Sequence, residues 1–142
     1  MLVLLVVVIV TGILISLYAT PVVRLRGLTS IYVHGTHLAA AILLYLIVGM
    51  HVGFHWRAIR NGILRRLSLH VPERFSRVFD ALGILLIIAG LHAFITTHIY
   101  EKLLFEHLSF GGVVGTWQYQ LDLMLIFAAC MSCAVFFEQR KK

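Results

Sequence analysis

Charged side chains are scarce in this sequence. Asp, Glu, Lys and Arg together make up 13% of its 142 residues, whereas about a quarter of the residues in a typical soluble domain are charged. Acidic residues are the rarest, with six Asp and Glu against twelve Lys and Arg. The few charges are clustered rather than spread along the chain. Because so few charges cannot cover a water-soluble surface, an ordinary soluble domain is excluded.

Cysteine is also rare, and no nucleophilic site is evident. The two cysteines, Cys130 and Cys133, form a C-x-x-C pair, but no second pair accompanies them. No histidine follows Cys133, as attachment of a c-type haem would require. A buried cysteine packs like a small apolar residue, so we expect a packing role for both. Since no plausible Ser-His-Asp arrangement is present either, we predict no catalytic residue.

Long apolar runs are what the sequence has in abundance. Hydrophobic residues make up 61% of the chain, and the mean hydropathy is +0.96. A helix needs roughly 20 mostly apolar residues to cross a bilayer. Four such runs cover residues 1–19, 31–56, 78–100 and 117–137. The first run lacks the basic start and the cleavage site of a signal peptide, so we expect it to be retained. The prediction is an all-α integral membrane bundle of four transmembrane helices, in one domain over residues 1–142.

The loop between the second and third runs carries half of the twelve Lys and Arg residues. Its basic residues are Arg57, Arg60, Arg65, Arg66, Arg74 and Arg77. Short loops rich in Lys and Arg stay in the cytoplasm, so we predict that both termini are cytoplasmic. Ile59, Ile63, Leu64 and Leu67 recur at helical spacing, which predicts a short amphipathic helix on the cytoplasmic side. Its arginines are expected to contact anionic membrane lipid. The net charge of +6 has the same origin, and we expect no nucleic-acid partner.

Four of the eight histidines lie on the second predicted helix. They are His34, His37, His51 and His55. At about 100° per residue, His55 lies at about 0°, His51 at about −40° and His34 at about +60° relative to His37, so all four share one stripe. Polar groups inside a bilayer are costly and are usually functional. His37 and His51 are about 21 Å apart along the axis, so one helix offers a metal ligand near each membrane surface.

The third predicted helix offers partners at the outer level. Imidazole is a good axial ligand for haem iron, and a b-type haem held between two helices needs one histidine from each. His92 lies at a depth similar to that of His37, and His98 pairs similarly with His34 nearer the surface. His37 and His92 are therefore the predicted axial pair. His34 and His98 would contact haem propionates or a quinone.

The inner level has fewer candidate metal ligands. His51 and His55 face no histidine of matching depth on the third helix, and His70 is the nearby candidate. A second haem ligated by His51 or His55 together with His70 is an alternative. The predicted metal ligands are therefore His37 and His92, followed by His51.

A family resemblance rests on these motifs. Residues 34–38 (HGTHL) and 51–56 (HVGFHW), together with Thr11-Gly12 on the first helix, resemble small bacterial four-helix cytochrome-b-like membrane proteins. The resemblance implies a bacterial inner-membrane location, one or two haem b groups, electron transfer and contact with quinone. The 14-residue spacing of His37 and His51 is similar to the spacing of the two haem ligands on one helix of respiratory cytochrome b. That protein repeats the wide spacing on a second helix, and the third helix of this chain does not. We expect a membrane-anchored b-type cytochrome, an electron-transfer subunit working with other redox or membrane subunits.

Other interpretations remain open. The boxes His34-x-x-His37 and His51-x-x-x-His55 suggest a diiron oxygenase, but they lie about 21 Å apart on one helix. A magnesium pigment such as bacteriochlorophyll also takes histidine, in an accessory subunit of a photosynthetic complex. The histidines can also serve only in packing between helices, in a structural subunit. We expect paired histidines at one depth to favour haem iron.

Two further pairs of residues carry expectations. Asp80 and Asp122 lie near the starts of the third and fourth helices, where we expect an N-cap or interfacial charge; contact with a proton or a quinone is the alternative. Gly49 and Gly53 lie about 120° to 160° around the helix from His37. They are expected to let another helix approach on the side away from the histidines.

Overall fold

The computed structural model describes residues 1–19, 28–68, 74–104 and 117–140, and no strand occurs among them. The helices are α1 (Leu2–Ala19), α2 (Leu28–Phe54), α3 (Trp56–Arg66), α4 (Arg74–Thr96), α5 (Ile99–Leu103) and α6 (Trp117–Gln139). The all-α fold is therefore confirmed for the described chain.

Three segments are long and apolar enough to cross a membrane. They are Leu28–Phe54, Val78–Thr96 and Trp117–Gln139, and a shorter apolar helix covers Leu2–Ser16. Large apolar side chains face outward along these segments; Ile88 and Met124 are 64% and 65% exposed. Such surfaces are suited to lipid rather than water. The protein is a helical membrane bundle whose outer surface contacts lipid.

Two of the predicted spans end earlier than expected. The second is divided at His55, a turn residue between α2 and the separate α3. The third ends at Thr96, because Thr97 and His98 form a turn in which His98 has a φ of 52°. The predicted amphipathic helix is present as α3, with Arg65 and Arg66 in its last turn and no buried residue.

The helices pack in the order α1, α2, α6, α4. Helix α1 packs on α2, and α6 packs on both α2 and α4, whereas α2 and α4 have little direct contact. The expectation that the second and third spans are direct neighbours is therefore wrong. The physical reason is that the glycine-bearing faces of both helices are occupied by α6.

Small residues make these contacts close. A Cβ added at Gly49 would lie 3.2 Å from the Cβ of Cys130, and one at Gly53 would overlap the backbone of Met131. This confirms the expected close helix approach at the G-x-x-x-G motif, and the approaching helix is α6. Tyr45 adds a polar contact across the same interface, donating a hydrogen bond of 2.8 Å to the carbonyl of Leu123.

The same device joins α4 to α6. A Cβ at Gly90 would overlap the Cβ of Ala129, and one at Gly83 would lie 3.0 Å from Cε2 of Phe136. An N-cap role for Asp80 and Asp122 is wrong, whereas the equally expected interfacial role stays a prediction. Helix α4 begins at Arg74 and α6 at Trp117, so both carboxylates lie more than one turn inside their helices.

Candidate metal-ligand site on the second helix

The histidine stripe lies on the side of α2 that α6 leaves free. Gly49 and Gly53 meet α6, and His37 lies about 120° to 160° from them around the helix. Helix α1 packs on this freer side near His37. His34 and His37 are half-buried, whereas His51 and His55 are exposed. The stripe therefore divides into a covered half, His34 and His37, and an uncovered half, His51 and His55.

His37 is held by a hydrogen bond from the neighbouring helix. Its Nδ1 lies 2.9 Å from Oγ1 of Thr11. The same Oγ1 lies 2.6 Å from the carbonyl oxygen of Val7. Two oxygens this close need a proton between them, so the single hydroxyl proton of Thr11 goes to Val7.

The direction of the Thr11–His37 bond follows from that proton. Because Oγ1 has no second proton to give, Nδ1 of His37 donates its own N–H to Oγ1. The neutral ring then carries its lone pair on Nε2, for which the structure shows no hydrogen bond to the residues it describes. Metal-ligating histidines are oriented in this way, with one nitrogen donating to a neighbour and the other facing the metal. This orientation is compatible with a ligand role for His37, which stays a prediction.

Gly12 allows α1 to come this close. A Cβ at Gly12 would lie 3.3 Å from Cε1 of His37, which is tighter than ordinary van der Waals contact. Thr11 and Gly12 thus act together: Thr11 accepts the hydrogen bond, and Gly12 leaves room for the imidazole ring. Neither was among the predicted site residues, although the Thr-Gly pair was the signal that could have identified them.

His34 is fixed in the same tautomer by its own helix. Its Nδ1 lies 2.9 Å from the carbonyl oxygen of Ser30. A carbonyl oxygen only accepts, so Nδ1 carries the proton. His34 lies one turn from His37 on the stripe, and both rings donate through Nδ1.

His51 and His55 contact each other at the C-terminal end of α2. Their ring centroids are 4.6 Å apart, with an interplanar angle of 62°. His55 occupies the turn before α3 and makes no side-chain cap hydrogen bond. His70, their predicted partner for a second haem, lies outside the described residues, so this pair stays a prediction.

His92 is not placed opposite His37. It is exposed and lies about 200° around α4 from Gly90, the residue that meets α6. The predicted axial pair is therefore not brought together within one chain, since α6 lies on the far side of α4 from His92. A ligand role for either residue stays a prediction. If both are axial ligands, the second ligand of each metal must come from a different residue.

His98 is engaged in local contacts at the opposite membrane surface. Its Nδ1 lies 2.8 Å from Oε1 of Glu101 and 3.2 Å from the hydroxyl of Tyr100. The ring is exposed and its backbone is left-handed. These contacts occupy Nδ1, and the expected role beside a propionate or a quinone is not tested by them.

The arrangement as a whole offers single imidazoles rather than a closed metal cage. Among the described residues, no three His, Cys, Asp or Glu side chains come together. A porphyrin metal, in contrast, needs only one or two axial ligands from protein, and the oriented His37 fits one such position. No family model, no curated protein and no solved structure matches this chain.

Proposed function

We propose that this chain is a four-span subunit of the bacterial inner membrane that binds haem b through His37 and takes part in electron transfer. Both termini would be cytoplasmic. Electrons would pass between a partner redox protein and either quinone or a second partner. Helix α1 supplies the fourth span in this proposal, since it is apolar over its length and packs alongside α2.

The observation that carries the proposal is the 2.9 Å hydrogen bond between Nδ1 of His37 and Oγ1 of Thr11. Thr11 accepts the Nδ1 proton, which leaves Nε2 with the lone pair that iron requires. An imidazole needed only for packing between helices has no such requirement on its second nitrogen. Haem b would supply a one-electron redox couple, with a potential that depends on its axial ligands and on its burial.

Further subunits are part of the proposal because of where His92 lies. It is on the outward surface of α4, surrounded by exposed apolar residues such as Ile88 and Ile95. An intramembrane histidine facing lipid is costly. His92 can serve a haem only where another subunit covers this face, and that subunit would also be the electron-transfer partner.

The proposed orientation rests on the arginines of α3. Arg57, Arg60, Arg65 and Arg66 all lie on this short helix at one end of the bundle. Basic residues close to membrane spans remain on the cytoplasmic side, so that end would be cytoplasmic. Helix α1 begins and α6 ends at the same side if all four long helices cross.

A second candidate function is a pigment-binding accessory subunit. It is favoured by the single oriented imidazole, since a chlorophyll-type magnesium usually takes one axial ligand. In this case His37 would hold the pigment, and no facing histidine would be needed. A purely structural subunit, in which the Thr11–His37 bond only joins α1 to α2, is the remaining alternative.

The absorption spectrum of the purified protein separates these candidates. Haem b gives a sharp alpha band in the green-yellow on reduction, whereas bacteriochlorophyll absorbs in the near infrared. A pyridine haemochrome assay gives the haem content per chain. A protein that is colourless after mild purification from a host supplied with haem would contradict the proposal.

Two variants of His37 separate ligation from packing. His37→Asn keeps an N–H donor that can reach Thr11 but lacks a good haem ligand, and His37→Ala removes both. We expect both variants to lose the haem, with His37→Asn still folded by size-exclusion chromatography. Full haem content in His37→Asn would show that His37 only packs. His92→Ala then tests the interface: it should lower haem content only in the assembled complex.

A further inference from the structure

A large cavity lies between α3 and the ends of α4 and α6. Its volume is about 720 Å³, within the range of roughly 300–1,000 Å³ that small-molecule sites occupy. Helix α3 makes its main contacts with α2 and few with α4 or α6. The cavity is the space between α3 and these two helices. The cavity is remote in sequence from Thr11 and His37, and it does not depend on the proposed function.

The lining of the cavity is divided by chemistry. Arg57 and Arg60 line it from α3, and Asp80 lines it from α4. Within the described part of the chain, none of these three side chains forms an ion pair. Apolar walls continue from them along both spans. They include Leu82, Leu86, Val135 and Phe136.

This pattern fits an amphiphile better than a free ion or a wholly apolar ligand. The charged groups lie toward α3, the helix at the end of the bundle, while the apolar walls run along helices that cross the membrane. A headgroup would therefore meet the arginines while an acyl chain follows α4 and α6. Guanidinium groups hold phosphate oxygens through paired, charge-assisted hydrogen bonds.

The charges select among headgroups. Two arginines and one aspartate give this lining a net charge of +1 when all three are ionised, which a single phosphodiester neutralises. Asp80 then needs a hydrogen-bond donor, and the hydroxyls of a glycerol headgroup provide one. We infer that the cavity is a specific site for an anionic glycerophospholipid of the phosphatidylglycerol type, with its phosphate on Arg57 and Arg60. Basic pockets between membrane helices are known to bind anionic headgroups.

Native mass spectrometry of the full chain in detergent tests this inference. The probes are phosphatidylglycerol, phosphatidylethanolamine, phosphatidylcholine, a ubiquinone analogue and inorganic phosphate. We expect one phosphatidylglycerol to be retained in preference to every other probe. Equal retention of the zwitterionic lipids or of the quinone would overturn the assignment of an anionic lipid. Displacement of the lipid by inorganic phosphate at equal concentration would show a site for the free ion instead.

Matched arginine variants locate the site. Arg57→Gln/Arg60→Gln removes two charges from the cavity lining, while Arg65→Gln/Arg66→Gln removes two from the same helix outside it. We expect the first variant to bind phosphatidylglycerol about tenfold more weakly or worse, since charge-assisted hydrogen bonds are lost, and the second to bind it nearly as the unmodified protein does. Equal losses in both variants would mean diffuse attraction to lipid and would overturn the inference.

A third variant approaches the cavity from α6 and leaves every charge in place. Val135→Trp fills the apolar wall and should exclude the acyl chain, so phosphatidylglycerol retention should fall as it does in Arg57→Gln/Arg60→Gln. It decides the question if the arginine variant does not fold. Undiminished retention in a folded Val135→Trp protein would place the lipid elsewhere and contradict the inference.

Discussion

Helices α2 and α4 dock on α6 in the same way but differ in what covers their other face. Each presents two glycines to α6, four residues apart in α2 and seven residues apart in α4. A Cβ added at any of these glycines would lie 3.2 Å or less from an atom of α6. On its far side α2 is covered by α1, which holds His37 through Thr11. The far side of α4 carries His92 with no helix of the described chain over it.

His37 and His92 differ in whether a neighbouring helix orients the imidazole ring. Residue counting in the sequence predicts a similar depth for His37 and His92, so predicted depth does not distinguish them. The difference is a neighbouring helix that supplies an acceptor for Nδ1 and a glycine that leaves room for the ring. Orientation of the imidazole by a hydrogen-bonded neighbour is therefore the feature to look for.

The largest expected effect concerns the shared docking of α2 and α4 on α6. Gly53→Ala and Gly90→Ala each place a methyl group against backbone or Cβ atoms of α6. Overpacking of this kind costs about 1–3 kcal/mol, so both variants should unfold at lower temperature in detergent. A thermal melt followed by fluorescence-detected size-exclusion chromatography measures the shift.

Gly62→Ala is the matched control for both substitutions. A Cβ at Gly62 would meet nothing within 4 Å, and alanine favours a helix over glycine by up to about 1 kcal/mol. This variant should therefore be as stable as the unmodified protein or slightly more stable. If Gly53→Ala destabilises and Gly90→Ala does not, the two helices are not docked alike and the comparison between them fails.

The next effect concerns the cover that α1 gives to α2. Thr11→Val removes the acceptor for Nδ1 of His37 while keeping the branched shape, and Thr11→Ser keeps the hydroxyl. Hydrogen bonds between membrane helices contribute about 0.6 kcal/mol on average and up to about 1.7. Thr11→Val should lose that much stability and, if His37 ligates the proposed haem, most of that haem, whereas Thr11→Ser should lose little of either.

The readouts of Thr11→Val separate its two possible roles. A loss of stability with unchanged haem content would mean that Thr11 only joins α1 to α2. Retention of the reduced spectrum with an unshifted alpha band and potential would give the same conclusion. Equal haem content in the valine and serine variants would remove Thr11 as a positioning residue for the ligand.

Much of the fold was predictable because bilayer crossing is a strong constraint on sequence. Runs of about 20 apolar residues predict membrane helices directly, and the ends of α2, α4 and α6 lie within about four residues of the predicted ends. The G-x-x-x-G motif of Gly49 and Gly53 also predicted a close helix contact on the correct side of α2. Periodicity fixes which residues share a face, and this part of the prediction is confirmed.

The identity of the neighbouring helix was not predictable in the same way. Depth matching placed His92 beside His37, but depth along the membrane does not determine the order of helices around a bundle. Gly83 and Gly90 lie on one face of α4, and their spacing of seven residues was the available signal that this face is the packed one. Since His92 lies nearly opposite Gly90, its exposure follows from that signal.

The smallest effect tests the polar contact that accompanies the glycines of α2. Tyr45→Phe removes the hydrogen bond to the carbonyl of Leu123 but keeps the ring, whose centroid lies 5.2 Å from that of Phe127. We expect a loss of about 0.6 kcal/mol, the average for such bonds between membrane helices, and no change in haem content. Tyr45→Leu, which removes the ring as well, should cost clearly more. Equal costs for the two variants would mean that packing of the Tyr45 ring against Phe127 contributes nothing to stability.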